Sequence, residues 1–145
     1  MPLFKDYAPR ELELTAHTDG ACRGNPGPAA GAAVIMKDGE VIAKRSKVLG
    51  IATNNRAEYE AVILALEAAI ELKASSLKVF TDSQLIARQI KGSYKVKKSD
   101  LIPLHDKVVE LKNKLDRFEI FEVPREKNVA ADNLANEALD SKFTG

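Results

Sequence analysis

The stretch Thr18-Asp19-Gly20-Ala21-Cys22-Arg23-Gly24-Asn25-Pro26-Gly27-Pro28 constrains the fold of this 145-residue chain more than any other. A strand-like run, Leu12 to Thr18, leads into it and delivers a carboxylate, Asp19, to its end. Glycines and prolines then turn the chain through a rigid loop. A second apolar run, Ala32 to Met36, follows soon after. The local expectation is a strand, a rigid loop and a returning strand. Taken alone, Asp-Gly is ordinary hairpin punctuation. The weight of Asp19 therefore depends on where the other acidic residues fall.

Glu11 to Asp19 alternates, with Leu12, Leu14 and Ala16 on one side and Glu13, Thr15, His17 and Asp19 on the other. Period two predicts a strand and puts Asp19 on its more polar face. Gly31 to Met36 is the second expected strand. Lys37-Asp38-Gly39-Glu40 is a tight turn, and Glu40 to Val48 completes an antiparallel meander. Thr53-Asn54-Asn55 supplies capping side chains for a helix from Arg56 to Lys73. Counting from Glu58, the positions three, four, seven, eight and eleven further on are Ala61, Val62, Ala65, Leu66 and Ala69. Glu58 thus heads the stripe that this helix turns toward the core. A carboxylate there needs a partner, a metal or a cleft, because isolated burial of its charge is costly.

Leu77 to Thr81 reads as a strand, with Asp82 ending it and able to cap a helix from Gln84 to Lys91. Strand-helix-strand alternation implies parallel crossovers. Lys91 to Lys98 is a basic connection, and Ser99-Asp100 is expected to cap the next helix, with the stripe Leu101, Leu104, Val108, Leu111 and Leu115. Phe118 to Val123 is the fifth strand, Arg125-Glu126-Lys127-Asn128 a short polar loop, and Val129 to Ser141 the last helix, with Asp132 in its first turn. The chain is read as one domain, residues 11–145, after a short lead-in of residues 1–10.

Composition narrows the class. Hydrophobic residues make up 45% and charged residues 30%, ordinary for a soluble globular protein. A net charge of +1 announces no nucleic-acid binder, so any basic footprint must be local. The single cysteine, Cys22, excludes an intrachain disulfide and favours an intracellular setting. There is no signal-peptide core and no apolar run of about 18 residues. A cytoplasmic protein with no membrane partner is expected, and a monomer.

Asp19 and Asp82 fall at strand ends; Glu58 and Asp132 fall in first turns of helices. If the strands of Asp19 and Asp82 are parallel neighbours, both carboxylates emerge at the carboxyl edge of the sheet, where open α/β sheets place their sites. Helices entering over that edge bring in Glu58 and Asp132. Four clustered carboxylates repel one another, and hard divalent cations with oxygen ligands relieve this. Mg²⁺ fits, with Mn²⁺ as a substitute. Two such ions, about 4 Å apart, suit in-line phosphodiester displacement. Asn25, Thr53, Asn54, Asn55 and Gln84 can hydrogen-bond phosphates, sugars or base edges, and Gly20, Gly24 and Gly27 permit close backbone approach.

These residues resemble the motifs of type 1 ribonuclease H. Thr18-Asp19-Gly20-Ala21 with Gly24-Asn25-Pro26-Gly27-Pro28 is similar to the first motif, and Thr53-Asn54-Asn55-Arg56-Ala57-Glu58 to the second. Thr81-Asp82-Ser83-Gln84 is similar to the third, and Ala131-Asp132-Asn133-Leu134-Ala135 to the fourth. All four occur in the family's order. The resemblance implies an α/β fold of the ribonuclease H type: a five-stranded mixed sheet, first three strands antiparallel and the other two parallel to the first, with helices on both faces. It implies endonucleolytic cleavage of the RNA strand of RNA–DNA hybrids, leaving 3′-hydroxyl and 5′-phosphate ends. By carry-over, Asp19, Glu58, Asp82 and Asp132 hold two metal ions, and Asn25, Asn54, Asn55 and Gln84 contact the hybrid's minor groove, where 2′-hydroxyls distinguish RNA.

The chain departs from the best-studied bacterial pattern in two places. No histidine lies between Phe118 and Asp132; Arg125 is the nearest cation and is assigned a positioning role in the reaction, while Asn128 remains as a substrate contact. The basic insertion that grips the DNA strand is missing, leaving Lys95, Lys97 and Lys98 as candidate phosphate contacts, and no hybrid-binding domain is expected before residue 11. Double-stranded RNA as a further substrate, an integrase-like or resolvase-like nuclease, and a non-catalytic nucleic-acid-binding module are the alternatives. The last fits poorly, since clustered negative charge facing phosphates gives a binder nothing.

Overall fold

The computed structural model describes residues 11–144, with side chains through Ser141. The expected lead-in, residues 1–10, lies outside the described residues. Strand β1 (Glu13–Cys22), β2 (Gly27–Lys37) and β3 (Glu40–Ala52) are followed by α1 (Asn54–Glu71), β4 (Ser76–Thr81), α2 (Gln84–Lys91), α3 (Ile102–Lys112), β5 (Arg117–Glu122), a 3₁₀ turn (Arg125–Lys127) and α4 (Val129–Thr144). The five strands form one sheet in the order β3-β2-β1-β4-β5. β1 pairs antiparallel with β2 and β2 with β3, while β4 runs parallel to β1 and β5 parallel to β4. This is the mixed sheet that the family resemblance implies, and it contains the meander and parallel crossover expected from the sequence pattern.

The glycine-proline stretch does less turning than its composition suggests. β1 runs through Asp19 to Cys22, and Gly20, Ala21 and Cys22 pair with Gly31, Ala30 and Ala29. Only residues 23–26 lie between the two strands. Asp19 is therefore inside β1 rather than at its end, but it stands one residue past Thr18–Thr81, the last pair of the parallel ladder with β4. Gly20 serves as clearance: a Cβ there would lie 2.7 Å from the backbone of Ala57 and Glu58 in α1. Asp38 and Gly39 form the expected hairpin turn, both with positive φ. β3 continues past Val48 to Ala52 because a bulge opposite Ala29 and Ala30, with Gly50 at φ 73°, resets the register.

Helices α1, α2 and α3 cover one face of the sheet. Their buried residues, among them Val62, Leu66, Ile86, Val108 and Leu111, pack over Leu14, Ala16, Ala33, Ile35, Leu77, Val79 and Ile120. On the other face, Ala135 and Leu139 of α4 pack on Ala21, Ala30 and Ala32. Alternation along β1 and β2 supplies both faces from the same strands.

Two helix starts and one cap differ from the expectation. α1 begins at Asn54, with the Thr53 hydroxyl accepting from the Arg56 N–H at 3.2 Å. Glu58 is consequently beyond the first turn. α2 is capped by Ser83, whose hydroxyl accepts from the Ile86 N–H at 3.2 Å, so Asp82 does not cap it. Ser83 directly precedes the first helical residue, which is the position a capping hydroxyl needs. α3 starts at Ile102 with no side-chain cap from Ser99 or Asp100. Burial of Leu101 and the placement of Pro103 in the first turn set that start instead.

Candidate active site

The parallel ladder of β1 and β4 ends at Thr18 and Thr81, and each strand then presents an aspartate as its next residue. Asp19 is 5% exposed; Asp82 is half-buried. α1 crosses beside them and brings in Glu58, 3% exposed, at the head of its buried stripe. Carboxylate oxygens of Asp19, Glu58 and Asp82 lie within 4.8 Å of one another. Asp132, in the first turn of α4, reaches Asp19 from the other side of the sheet and lines the same cleft of about 350 Å³.

Hydrogen bonds fix Glu58 in place. The Gly20 N–H donates to Oε1 at 2.7 Å, and the Thr81 hydroxyl donates to Oε2 at 3.4 Å. Asp132 Oδ1 accepts from Asn136 Nδ2 at 3.3 Å, one turn further along α4. At the rim, Arg125 Nε stands 3.8 Å from Asp82 Oδ2 with a side chain 87% exposed.

The cluster's charge is poorly tolerated without a cation. Burial pushes the Asp19 carboxyl far above the usual carboxylate range, and the neighbouring Glu58 and Asp82 push it further. Burial also raises Glu58, against the lowering effect of its hydrogen bonds with Asp19 and the Gly20 N–H. The ligand atoms are all oxygens, a donor set that suits a hard divalent cation.

Residues 17–138 match the family model described as reverse transcriptase-like. The chain is 44% identical to ribonuclease HI of Halobacterium salinarum over 126 residues, spanning 86% of this chain and 63% of that protein. The crystal structure of RNase H1 from the same archaeon superposes with a TM-score of 0.86 at 43% identity, covering 89% of this chain and 98% of that one. The N-terminal RNase H domain of Rv2228c from Mycobacterium tuberculosis superposes at 0.88 with 38% identity, over 92% and 98% of the two chains. LC11-RNase H1 in complex with an RNA/DNA hybrid gives 0.84 at 39% identity, over 90% and 99%.

The chain belongs to the type 1 ribonuclease H family.

The remaining family-motif residues divide into two groups. Asn54 lines the carboxylate cleft, and Asn25, Asn54 and Gln84 are exposed near it, with Asn55 half-buried. Asn25 Oδ1 accepts from the Asn54 N–H at 3.0 Å, which fastens the β1–β2 turn to the start of α1. Gly20, Thr53 and Asn128 are engaged internally. The Gly20 N–H is directed to Glu58 and the Thr53 hydroxyl caps α1. Asn128 is 1% exposed, with its amide on the Thr18 carbonyl, so it does not face a substrate as the motif reading expects. Lys95, Lys97 and Lys98 are exposed on residues 92–101, a connection with no helix of its own, and none of them lines the carboxylate cleft. Arg88 anchors this ribonuclease H link by donating to the Tyr94 hydroxyl at 2.9 Å and stacking on its ring. Ser83, Cys22 and Asn136 line the cleft although the sequence reading assigns them no role in the site. Of these, Asn136 had a legible signal, its spacing of four from Asp132 on one helix face.

Carboxyl groups that stay protonated in the fold but ionise in the unfolded chain withdraw stability as pH rises. The raised Asp19 and Glu58 carboxyls contribute fully below their unfolded values, 3.8 and 4.5, and progressively less above them. Without divalent ions, the melting temperature is expected to fall as pH rises from 5 to 8, and Asp19→Asn to flatten that fall and melt higher than the wild type at pH 8. Thermal denaturation in a chelating buffer checks this; equal pH slopes for the two proteins would contradict it.

Proposed function

We propose that this chain is an endoribonuclease that hydrolyses the RNA strand of RNA–DNA hybrids with two Mg²⁺ ions, leaving 5′-phosphate and 3′-hydroxyl ends. The observation that carries this reading is the convergence of Asp19, Glu58 and Asp82 within 4.8 Å, with Asp132 against Asp19, in a fold shared with a relative solved on an RNA/DNA hybrid. The curated relatives are longer, the matched region spanning 63% of the archaeal protein and 36% of the mycobacterial one.

Asp19, Glu58, Asp82 and Asp132 would hold the metal ions. Bound there, the ions supply Lewis-acid stabilisation of the charge that develops on phosphate and an acidified water. In the hydrolysis, a water oxygen bonds to phosphorus, the P–O3′ bond breaks, and the 3′ oxygen leaves with a proton as hydroxyl. Gly20 and Thr81 keep Glu58 aimed at the cleft through both of its oxygens. Arg125 sits at the mouth beside Asp82, where an exposed cation offsets charge on the product phosphate. Asn54 lines the cleft, and Asn25, Asn55 and Gln84 join it as minor-groove contacts. Lys95, Lys97 and Lys98 contribute long-range attraction to the DNA-strand phosphates.

A panel of labelled RNA–DNA hybrid, duplex RNA and duplex DNA, with and without Mg²⁺, tests the reading. Hybrid is expected to be cut only with the metal, and Asp82→Asn to lower kcat at least 100-fold, the size of loss expected when a group stabilising transition-state charge is removed. Metal-dependent cleavage that survives Asp82→Asn would overturn the site assignment; cutting of duplex RNA alone would overturn the substrate. A Lys95/Lys97/Lys98 triple alanine variant is expected to raise KM and to reduce the slope of log affinity against log salt by about 2 to 3, since each phosphate contact contributes roughly 0.9. An unchanged slope would make the lysines a solvated loop.

A further inference from the structure

Asn128 and His17 form a contact outside the cleft that the carboxylate chemistry does not use directly. Asn128 joins the 3₁₀ turn to α4. Its N–H donates to the Arg125 carbonyl at 2.9 Å, and its carbonyl accepts from the Asp132 N–H at 3.1 Å. The position of this one residue therefore sets where both Arg125 and Asp132 stand. Its side chain is locked against β1. Nδ2 donates to the Thr18 carbonyl at 2.7 Å, at the last pair of the β1–β4 ladder and in the peptide that links Thr18 to Asp19.

That bond determines the rest. A carbonyl can only accept, so the NH₂ group must face Thr18, and Oδ1 must face His17 Nδ1, 3.3 Å away. His17 must then carry its proton on Nδ1 and donate. The ring is held at that angle by a row of aromatics at one register level across three strands. His17 stacks on Phe80 with centroids 5.2 Å apart, and Phe80 stacks on Phe121 at 5.7 Å. A phenylalanine at position 17 would serve the stack equally well. Only the imidazole adds an N–H at the one point where a buried amide oxygen needs a donor.

We propose that His17 is a positioning residue for the ribonuclease reaction: through its hydrogen bond to Asn128 it fixes the start of α4, and so holds Asp132 and Arg125 in register with Asp19. This rests on the proposed metal-dependent cleavage at that site. The work is done by the N–H group and the orientation of the ring. The aromatic row preserves both while leaving His17 out of contact with the reacting atoms.

His17→Phe keeps the stack and removes the donor, which makes it the decisive variant. Purified wild type, His17→Phe, Asn128→Ala and the double variant would be compared for kcat and KM on hybrid, for Mg²⁺ affinity by titration calorimetry without substrate, and for melting temperature. His17→Phe is expected to lower kcat roughly tenfold, as a small misplacement of reacting groups does, with KM within about twofold of wild type. Mg²⁺ affinity is expected to weaken several-fold. The double variant is expected to be no worse than Asn128→Ala, because both changes release the same contact. A purely structural role would shift the melting temperature while leaving kcat and Mg²⁺ affinity of the folded protein unchanged, and that result in His17→Phe would overturn the proposal even if Asn128→Ala failed to fold. If the wild type binds Mg²⁺ but cuts no hybrid, the functional reading falls, while the Mg²⁺ affinity of His17→Phe still decides the role of His17.

Discussion

The hydrogen bond from the Gly20 N–H to Glu58 is the contact on which the rest of this structure depends. It joins the central strand to the first long helix one peptide beyond Asp19. It forms only because Gly20 has no Cβ; a methyl group there would meet the backbone of Ala57 and Glu58 at 2.7 Å. The rest of the neighbourhood supports this approach. Thr53 caps α1 so that its fifth residue is Glu58. Asn25 ties the β1–β2 turn to the first N–H of the same helix, and Arg23 in that turn forms an ion pair with Asp140 of α4 at 2.6 Å. The hairpin is thus held between the two helices that carry Glu58 and Asp132.

This arrangement brings together groups that the folded chain would otherwise keep apart. Burial raises both Asp19 and Glu58 and the Asp82 charge adds to both shifts, so the fold favours protons on the cluster. The helix dipole helps Asp132, which lies in the first turn of α4, but gives little to Glu58, which lies past the first turn of α1. Glu58 depends instead on the specific N–H and hydroxyl directed at it. Holding these carboxyls together costs the fold stability, the pattern expected where charge is preorganised for the proposed chemistry.

Much of this was legible in the sequence. Periodicity indicates the meander and a parallel crossover, and the family resemblance implies the mixed sheet that combines them. The position of Glu58 at the head of an apolar stripe was enough to expect a buried carboxylate with a purpose. The boundaries were less legible, because glycine has two uses. Gly20 is expected in the loop after Asp19, yet it lies within β1 and, like Gly31 in β2, gives clearance to α1, with the added Cβ of Gly31 at 3.0 Å from the Ala57 carbonyl oxygen. The division of labour among polar residues was also hidden. Asn128 carries the same amide donor and acceptor as Asn54 or Gln84, and only the folded backbone decides that it is engaged internally while they are exposed. In the sequence His17 is one more polar residue on an alternating strand, and its aromatic row and buried amide neighbour exist only in the fold.

A divalent cation at the proposed site would displace protons that burial and repulsion favour on the carboxylate cluster. Calorimetric titration of the protein with Mg²⁺ at neutral pH, repeated in buffers of different ionisation enthalpy, counts the protons released on binding. Release of about one proton or more per protein molecule is the expected result, since metal ligands must be deprotonated to bind. Mg²⁺ binding with identical heats in every buffer would mean that the cluster is already fully ionised, and would contradict this account of the site.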